Sequence, residues 1–337
     1  MLGFDEQRYR QVMTGAGALR GQIEQIARAA TNDGYSNVFF IGSGGSYAVM
    51  FPYDDLFKQN STIPSVCAIA AELVLTGNKA LGADSIAVFS SLSGTTAETL
   101  AALEYCNERG ATTIALTGNA DSPIGRAATH ALVNPAEDEN CSESIDIQLL
   151  MLTTALLSLR GEFDAYEELA SVLDDMADLL VTTQQEAEQR SADFAKNFAD
   201  RTYHFCVGAG NLWGFTYNYS MCILEEMQWL HTTRVQGAEF FHGSLELIDR
   251  DTSVLLFKGE DVSRPIMDRV QRFCDKYNDA TTVIDTVDYS LPGVPESLRG
   301  IIAPIVIDAV TMRYTKHLEA ARDHSLSIRR YYKVVEY

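Results

Sequence analysis

The stretch Asn37–Tyr47, which reads NVFFIGSGGSY, decides the fold class of this chain. Its apolar run of branched and aromatic residues predicts a buried strand, and the glycine-rich turn that follows predicts the start of a helix. The same pattern returns half a chain length later in Tyr203–Gly214, which reads YHFCVGAGNLWG. Two similar strand–turn–helix units at this spacing predict a duplicated fold.

Short β-rich runs alternate with helical patterns around these two units. Strands are predicted at 85–90 and 112–117 around a helix at 96–109, and strands at 253–257 and 281–284 flank a helix at 264–276. This alternation predicts an α/β protein with two pseudo-duplicated domains, each a parallel sheet between layers of helices.

The boundary between the halves is predicted from an amphipathic segment. Leu169, Leu173, Met176 and Leu180 follow helical spacing among acidic residues, which predicts a long connector helix. We therefore expect an N-terminal helix and first domain at 1–165. The connector, the second domain and a C-terminal tail are expected at 166–337.

Composition restricts the classes of partner. The 337 residues carry a formal net charge of −20, which argues against nucleic acid and against an anionic membrane. No apolar run reaches the roughly 18 residues that a membrane-spanning helix needs. The N-terminus lacks the apolar region of a signal peptide, and the six cysteines show neither metal-binding nor disulfide spacing. The sequence predicts a cytoplasmic protein.

Two hydroxyl-rich loops follow predicted strands in the first half, at the edge of the sheet where ligands bind. Helix N-termini offer unpaired N–H donors, serine and threonine add hydroxyl donors, and glycine lets an anion approach the backbone. The same serines would also be accounted for by helix capping alone. The residues expected to converge on a phosphate group are Gly44, Gly45, Ser46, Ser91, Ser93 and Thr96.

A dinucleotide-binding site is the competing interpretation of the first loop. Glu72 follows the next predicted strand, where a ribose-binding acid would lie. The turn lacks the third glycine of the G-x-G-x-x-G pattern, however, and the second hydroxyl-rich loop has no role in such a site. The sequence therefore favours phosphate binding over dinucleotide binding.

These loops resemble the sugar isomerase (SIS) fold, whose sugar-phosphate site is formed by a G-G-S turn and an S-x-S-G-x-T loop. The second half is similar to the same family through Glu226–His231 (EMQWLH) and Gly237–Gly243 (GAEFFHG). The tail His324–Tyr337, HSLSIRRYYKVVEY, resembles the branch that contains the fructosamine 6-phosphate deglycases. The resemblance covers nearly the whole chain and implies two SIS domains.

The isomerase half of glutamine:fructose-6-phosphate aminotransferase is similar too. That enzyme uses an N-terminal cysteine to release ammonia from glutamine, whereas this sequence begins Met1-Leu2-Gly3 and has its first cysteine at Cys67. Synthesis from glutamine is therefore not expected.

The resemblance implies a reaction on a ketosamine 6-phosphate, the phosphorylated form of an Amadori product. A base removes a proton from carbon 1 of the open chain and gives an enaminol. Protonation at carbon 2 then gives an aldose imine, which water hydrolyses to an aldose 6-phosphate and a free amine. This chemistry needs a carboxylate and a proton donor and no cofactor.

The resemblance assigns the base to Glu226 and the acid to His242. Glu225 is the competitor for the first role. If the segment is an α-helix, the neighbours of Glu226 are all apolar, which would desolvate its carboxylate, raise its pKa and suit a base. A buried structural acid and a loop histidine held by the backbone are the alternative interpretations. Further contacts to substrate are expected from Glu239, His324 and Lys333.

Two alternative functions stay open, an isomerase or deaminase of simple hexosamine phosphates and a non-catalytic sugar-phosphate sensor. The resemblance also implies a homodimer or larger homo-oligomer, in which the motif histidine reaches the active site of a neighbouring subunit. Ser244 and Ser325 stand where the family usually has proline, so the geometry of these two loops is not given by the resemblance.

Overall fold

The structure is a computed structural model, and it describes residues 1–136 and 141–336. Tyr337, the last residue of the tail motif, lies outside the described residues. Within these ranges no helix combines the length and the apolar character that crossing a bilayer requires.

The chain divides into two compact units. The N-terminal unit comprises Asp5–Asp178, and the C-terminal unit comprises Met1–Phe4 with the chain from Leu179 onwards. This division differs from the boundary expected after residue 165. The reason is that the helix at Tyr166–Asp174 packs against two helices of the N-terminal unit, Glu6–Gly17 and Glu143–Leu159.

The N-terminal unit contains a five-stranded parallel sheet with the order β2-β1-β3-β4-β5. The strands are β1 (Asn37–Gly42), β2 (Ser65–Ile69), β3 (Ser85–Ser90), β4 (Thr112–Thr117) and β5 (His130–Val133). The helices are α1 (Glu6–Gly17), α2 (Arg20–Asp33), α3 (Gly45–Ala48), α4 (Phe51–Asn60), α5 (Ala70–Thr76), α6 (Ala97–Glu108), α7 (Pro123–Ala127), α8 (Glu143–Leu159) and α9 (Tyr166–Asp174).

Strand β1 is buried along its whole length, as expected for a parallel strand covered on both faces. Phe39 and Ile41 belong to one core cluster with Phe89 of β3 and Leu103 of α6. Burial of these large apolar side chains, at about 1.5–3 kcal/mol each, is the main stabilisation of the sheet. The core fixes the carboxyl end of β1 beside that of β3.

The C-terminal unit contains a four-stranded parallel sheet with the order β7-β6-β8-β9. The strands are β6 (Tyr203–Gly208), β7 (His231–Gln236), β8 (Val254–Lys258) and β9 (Thr281–Asp285). The α-helices are α10 (Met176–Phe198), which begins in the N-terminal unit, α11 (Trp213–Asn218), α12 (Arg264–Tyr277) and α13 (Glu296–Arg322). A π-helix, Tyr219–Met227, leads from α11 towards β7.

Gly42 and Gly208 end the first strand of each sheet for the same physical reason. A Cβ atom on Gly42 would lie 2.5 Å from the carbonyl oxygen of Ser46, and one on Gly208 would lie 1.9 Å from Oγ1 of Thr216. Only glycine lets the following segment come this close to the strand.

The predicted α/β class with two parallel sheets is confirmed.

The predicted connector is not one helix. Helix α9 ends at Asp174 and α10 begins at Met176, so the amphipathic segment is divided at Asp175. Leu169, Leu173 and Met176 are nevertheless buried as their spacing predicted. Hydrophobic spacing reports which face of a segment is buried and does not report where one helix ends and the next begins.

Candidate functional site

The hydroxyl-rich loops of the N-terminal unit lie at the point where the order of its sheet reverses. The chain passes from β1 to β2 on one side and then places β3 on the other side of β1. Ligands of open α/β sheets bind outside the strands at this position. A contact of 3.3 Å between the hydroxyls of Ser43 and Thr99 joins the loop after β1 to the helix after β3.

The second loop is folded around its own hydroxyls. The Ser91 hydroxyl donates to Oγ1 of Thr96 over 3.4 Å, and the hydroxyls of Ser93 and Thr95 lie 3.0 Å apart. Gly94 has a φ of +63° and a Cβ there would lie 2.0 Å from Oγ of Ser122, so the turn requires glycine. The structure thus brings Ser91 and Thr96 together at the start of α6.

The first loop supplies the other predicted phosphate contacts. Gly44 has a φ of +58° and precedes the short helix α3, which contains Gly45 and a half-buried Ser46. No hydrogen bond links Ser46 to the second loop within the described residues. Convergence of both loops on one anion remains a prediction.

The C-terminal unit contains an open cleft of about 490 Å³ between the end of the π-helix, the start of β7 and the tail. Its wall combines two carboxylates, two guanidinium groups and three aromatic residues. The lining residues are Glu225, Glu226, Trp229, Leu230, His231, Thr232, Arg329, Arg330, Tyr331 and Tyr332.

The two glutamates differ in how their oxygens are used. Glu225 has both oxygens engaged on β7, since Thr232 donates a hydrogen bond to Oε1 and Arg234 forms an ion pair of 3.2 Å with Oε2. Glu226 accepts a hydrogen bond of 2.8 Å from Nε of Arg329 on Oε1. Within the described residues its second oxygen, Oε2, has no hydrogen-bond partner.

The surroundings of Glu226 differ from the apolar face that α-helical spacing predicted. The segment is a π-helix, whose i→i+5 hydrogen bonds change which side chains are neighbours. Gln228 continues this pattern by donating its backbone N–H to the carbonyl of Ile223 over 3.0 Å. The carboxylate therefore faces an arginine of the tail, and a quarter of its side chain is exposed.

Trp229 holds the tail against the cleft. Its backbone has a φ of +54°, a conformation that costs a non-glycine residue about 1–2 kcal/mol. In this position its ring meets the ring of His324 edge-on at 4.5 Å and stacks under the guanidinium of Arg330 at 3.9 Å. Gln228 also donates to the backbone carbonyl of His324 over 2.8 Å.

The other predicted residues occupy separate positions. Glu239 precedes a short 3₁₀-helix, Phe240–His242, and His242 is its last residue. Both side chains are exposed, and neither lines the cleft. Lys333 is exposed and lies over the ring of Tyr332 at 5.3 Å. Both predicted tail residues thus meet the cleft wall, Lys333 at Tyr332 and His324 at Trp229. The Nε2 atom of His324 is buried without a partner in the described residues.

Three ionisable residues of the cleft wall, His231, Arg329 and Arg330, have no role assigned from the sequence. They occur there only within the motifs Glu226–His231 and His324–Tyr337. The adjacency of an Arg-Arg pair and two tyrosines in the tail was the available signal. The approach of Arg329 to Glu226 joins residues that are 103 positions apart and is not visible in the sequence.

No group of three or more histidine, cysteine, aspartate or glutamate side chains is arranged to hold a metal ion in the part of the chain that the structure describes.

Comparison with known proteins identifies the relatives of this arrangement. The model of the SIS domain matches residues 35–159, which covers β1 to α8. The fructosamine deglycase FrlB of Bacillus subtilis is 31% identical over 306 residues, which are 89% of this chain and 92% of that protein. The chain belongs to the SIS-domain fructosamine deglycase family.

One further relative agrees in fold and another agrees in sequence. A crystal structure of a Bacillus subtilis protein assigned as a phosphosugar isomerase superposes with a TM-score of 0.86 at 29% identity, covering 94% of this chain and all of that one. The fructoselysine 6-phosphate deglycase of Escherichia coli strain K12 is 28% identical over 251 residues, 72% of this chain and 70% of that protein. The predicted family and the enzyme class of phosphosugar isomerases and deglycases are confirmed.

Proposed function

We propose that the protein cleaves a ketosamine 6-phosphate into an aldose 6-phosphate and a free amine, without a cofactor. The observation that carries this proposal is the carboxylate of Glu226 in the wall of an aromatic cleft. One of its oxygens is held by Arg329, and the other has no hydrogen-bond partner in the described part of the chain. The family supports the substrate class, because the names of its members give fructosamines and fructoselysine 6-phosphate as their substrates.

Glu226 is suited to the base by its geometry. The hydrogen bond from Arg329 to Oε1 fixes the plane of the carboxylate and leaves Oε2 to take the proton from carbon 1 of the substrate. Glu225 lacks such a free oxygen, because Thr232 and Arg234 occupy both of its oxygens. A positioned base of this kind contributes about 10²–10⁴-fold to a proton transfer.

The proton donor at carbon 2 is proposed to be His242 from a neighbouring subunit. Its exposed ring is accessible to a second chain, in keeping with its absence from the cleft wall of its own chain. His231 lines the cleft and is the competing donor within one chain.

The phosphate is proposed to bind the loops of the N-terminal unit. Ser91 and Thr96 lie together at the first turn of α6, where backbone N–H groups and the helix dipole favour an anion. This local field matters because the chain as a whole carries a net charge of −20 and would otherwise repel a phosphate.

The test is release of aldose 6-phosphate from a panel of ketosamine 6-phosphates, with glucosamine 6-phosphate included for the hexosamine alternative. Wild type should release product from a ketosamine 6-phosphate in the presence of a chelator, and Glu226→Gln should not. Turnover of glucosamine 6-phosphate without turnover of any ketosamine 6-phosphate would favour an isomerase or deaminase. Binding of sugar phosphates without any turnover would favour a sensor.

A further inference from the structure

We propose that Arg330 recognises a carboxylate on the amine part of the substrate, close to the nitrogen that is released. This inference rests on the proposed function and adds to it a residue that determines which leaving amine is preferred. Its basis is the charge balance of the cleft in the C-terminal unit.

The charges in the cleft wall cancel except for one. Glu225 is neutralised by Arg234 at 3.2 Å, and Glu226 is neutralised by Arg329 at 2.8 Å. Arg330 forms no ion pair within the described residues, and its guanidinium lines the same cleft. In a chain with a net charge of −20, an uncompensated cation beside two paired glutamates marks a position suited to an anionic ligand.

Arg330 is also positioned in advance. Its guanidinium lies 3.9 Å from the centre of the Trp229 ring, and that ring is held from its edge by His324. Stacking of an arginine on an aromatic ring leaves its N–H groups free in the plane of the guanidinium, where they match the two oxygens of a carboxylate. The strained backbone of Trp229 is consistent with this positioning role, since strain of this kind concentrates at ligand sites.

The position of the anion follows from the chemistry. Glu226 would act on carbon 1, the carbon that carries the nitrogen, so groups in the same cleft face the nitrogen substituent. The 6-phosphate lies at the other end of the sugar, five carbon atoms away. An anion that reaches Arg330 while carbon 1 is at Glu226 is therefore a carboxylate attached near the nitrogen.

The experiment compares two substrates that differ by this carboxylate. The 6-phosphofructosyl adduct of glycine carries it, and the adduct of methylamine does not. Wild type should prefer the glycine adduct. Arg330→Gln should raise the KM for the glycine adduct by roughly 10-fold or more, because this adduct loses a charge-assisted hydrogen bond. The KM for the methylamine adduct should not change, because that adduct has no carboxylate to lose the bond. Arg330→Lys, which keeps the charge and loses the planar fork, should restore part of the preference.

Arg109→Gln is the matched control, since this exposed guanidinium also stacks on an aromatic ring, that of Tyr105 at 3.3 Å, and lies outside the cleft. It should not change the kinetics of either adduct. Equal losses on both adducts in Arg330→Gln, or no loss on either, would overturn the proposal.

Calorimetric titration separates this inference from the proposed function. If wild type cleaves neither adduct, the deglycase proposal fails, and the carboxylate preference is read from the dissociation constants of the two adducts. Tighter binding of the glycine adduct that is lost in Arg330→Gln supports the role of Arg330. Equal dissociation constants for the two adducts contradict it.

Discussion

At the scale of single residues, the adjacent glutamates 225 and 226 differ in how many of their carboxylate oxygens are hydrogen-bonded. Glu225 joins the π-helix to β7 through Thr232 and Arg234. Within residues 1–136 and 141–336, the side chain of Glu226 is hydrogen-bonded only to the tail, through Arg329. The proposal of Glu226 as the base therefore rests on hydrogen-bond partners, whereas the sequence analysis bases it on desolvation.

Glu226→Gln should lower kcat by about 10²-fold or more with the fold intact, because the amide cannot accept the proton from carbon 1. Glu225→Gln is the matched control and should keep most of the activity. Steady-state release of aldose 6-phosphate measures both, with circular dichroism to check the fold. An active Glu226→Gln beside an inactive Glu225→Gln would reverse the assignment.

His242→Asn should lower kcat by a similar factor, because the enaminol then lacks its proton donor at carbon 2. His231→Asn should stay active, although His231 lines the cleft of its own chain. Solvent deuterium incorporation at carbon 2 of the product follows the step directly. An active His242→Asn beside an inactive His231→Asn would assign the proton donor to His231.

At the scale of elements, the loop between β3 and α6 combines a glycine turn, three hydroxyl contacts and a helix N-terminus. Its shape is set by the chain itself: the Gly94 N–H donates to the carbonyl of Ser91 over 3.0 Å, and the Gly118 N–H donates to the carbonyl of Leu92 over 2.8 Å. The loop is therefore held by hydrogen bonds of the chain itself, and a loop held in this way lowers the entropy cost of binding.

The double variant Ser91→Ala/Ser93→Ala should mainly raise KM, because contacts to a phosphate persist from the ground state to the transition state. Inhibition by inorganic phosphate should weaken in parallel. Ser36→Ala, at an exposed position before β1, is the control and should change neither quantity. An unchanged KM in the double variant would remove the loop from the site.

A second element-scale feature joins the N-terminal residues, α10 and α13 within the C-terminal unit. Arg313, which is fully buried, forms an ion pair of 2.7 Å with Glu188 and donates to the carbonyl of Leu2 over 2.6 Å. Burial acts to raise the pKa of Glu188, but hydrogen bonds from Arg313 and from the backbone N–H of Leu2 outweigh it and lower the pKa to about 2.

This shift has a definite sign for stability. The carboxylate of Glu188 is easier to ionise in the folded chain, so its contribution is present above its ordinary pKa of about 4.5 and is lost as the pH falls towards about 2. Glu188→Gln should lower the free energy of unfolding at pH 7. Between pH 4.5 and about 2, the variant should lose less of its free energy of unfolding than wild type does. Denaturant titrations across this pH range measure both, with Glu186→Gln as the exposed control. Identical pH profiles for wild type and Glu188→Gln would contradict the linkage.

At the scale of the whole molecule, the predicted acid and the predicted base belong to the same unit, yet His242 does not line the cleft that contains Glu226. An oligomer in which the histidine of one subunit serves the cleft of another accounts for this separation. Light scattering should therefore give at least a dimer, and a fully active monomer would refute the idea.

Mixing two inactive variants tests the shared site. Co-expressed Glu226→Gln and His242→Asn chains should recover about a quarter of wild-type activity in a dimer with statistical mixing, because half the dimers are mixed and one of their two sites is intact. Each variant expressed alone is the control. No recovery in verified mixed dimers would place both groups in one chain.

The sequence by itself determined the architecture of this protein. The bounds of β3 and β4 and the start of α12 follow directly from local apolar patterns, and the repeated strand–glycine–helix pattern predicted two parallel sheets. These features depend on neighbours close in the chain, such as the approach of Ser46 to Gly42, so local composition is sufficient.

Only the tertiary structure decided the composition of the cleft. The π-helical register of Tyr219–Met227, the positive φ of Trp229 and the approach of Arg329 to Glu226 all depend on where the tail folds back. The division of the connector at Asp175 and the unit boundary depend in the same way on packing against distant helices. Contacts between segments a hundred residues apart leave no periodic signal in the sequence, because each partner satisfies its local pattern equally well without the other.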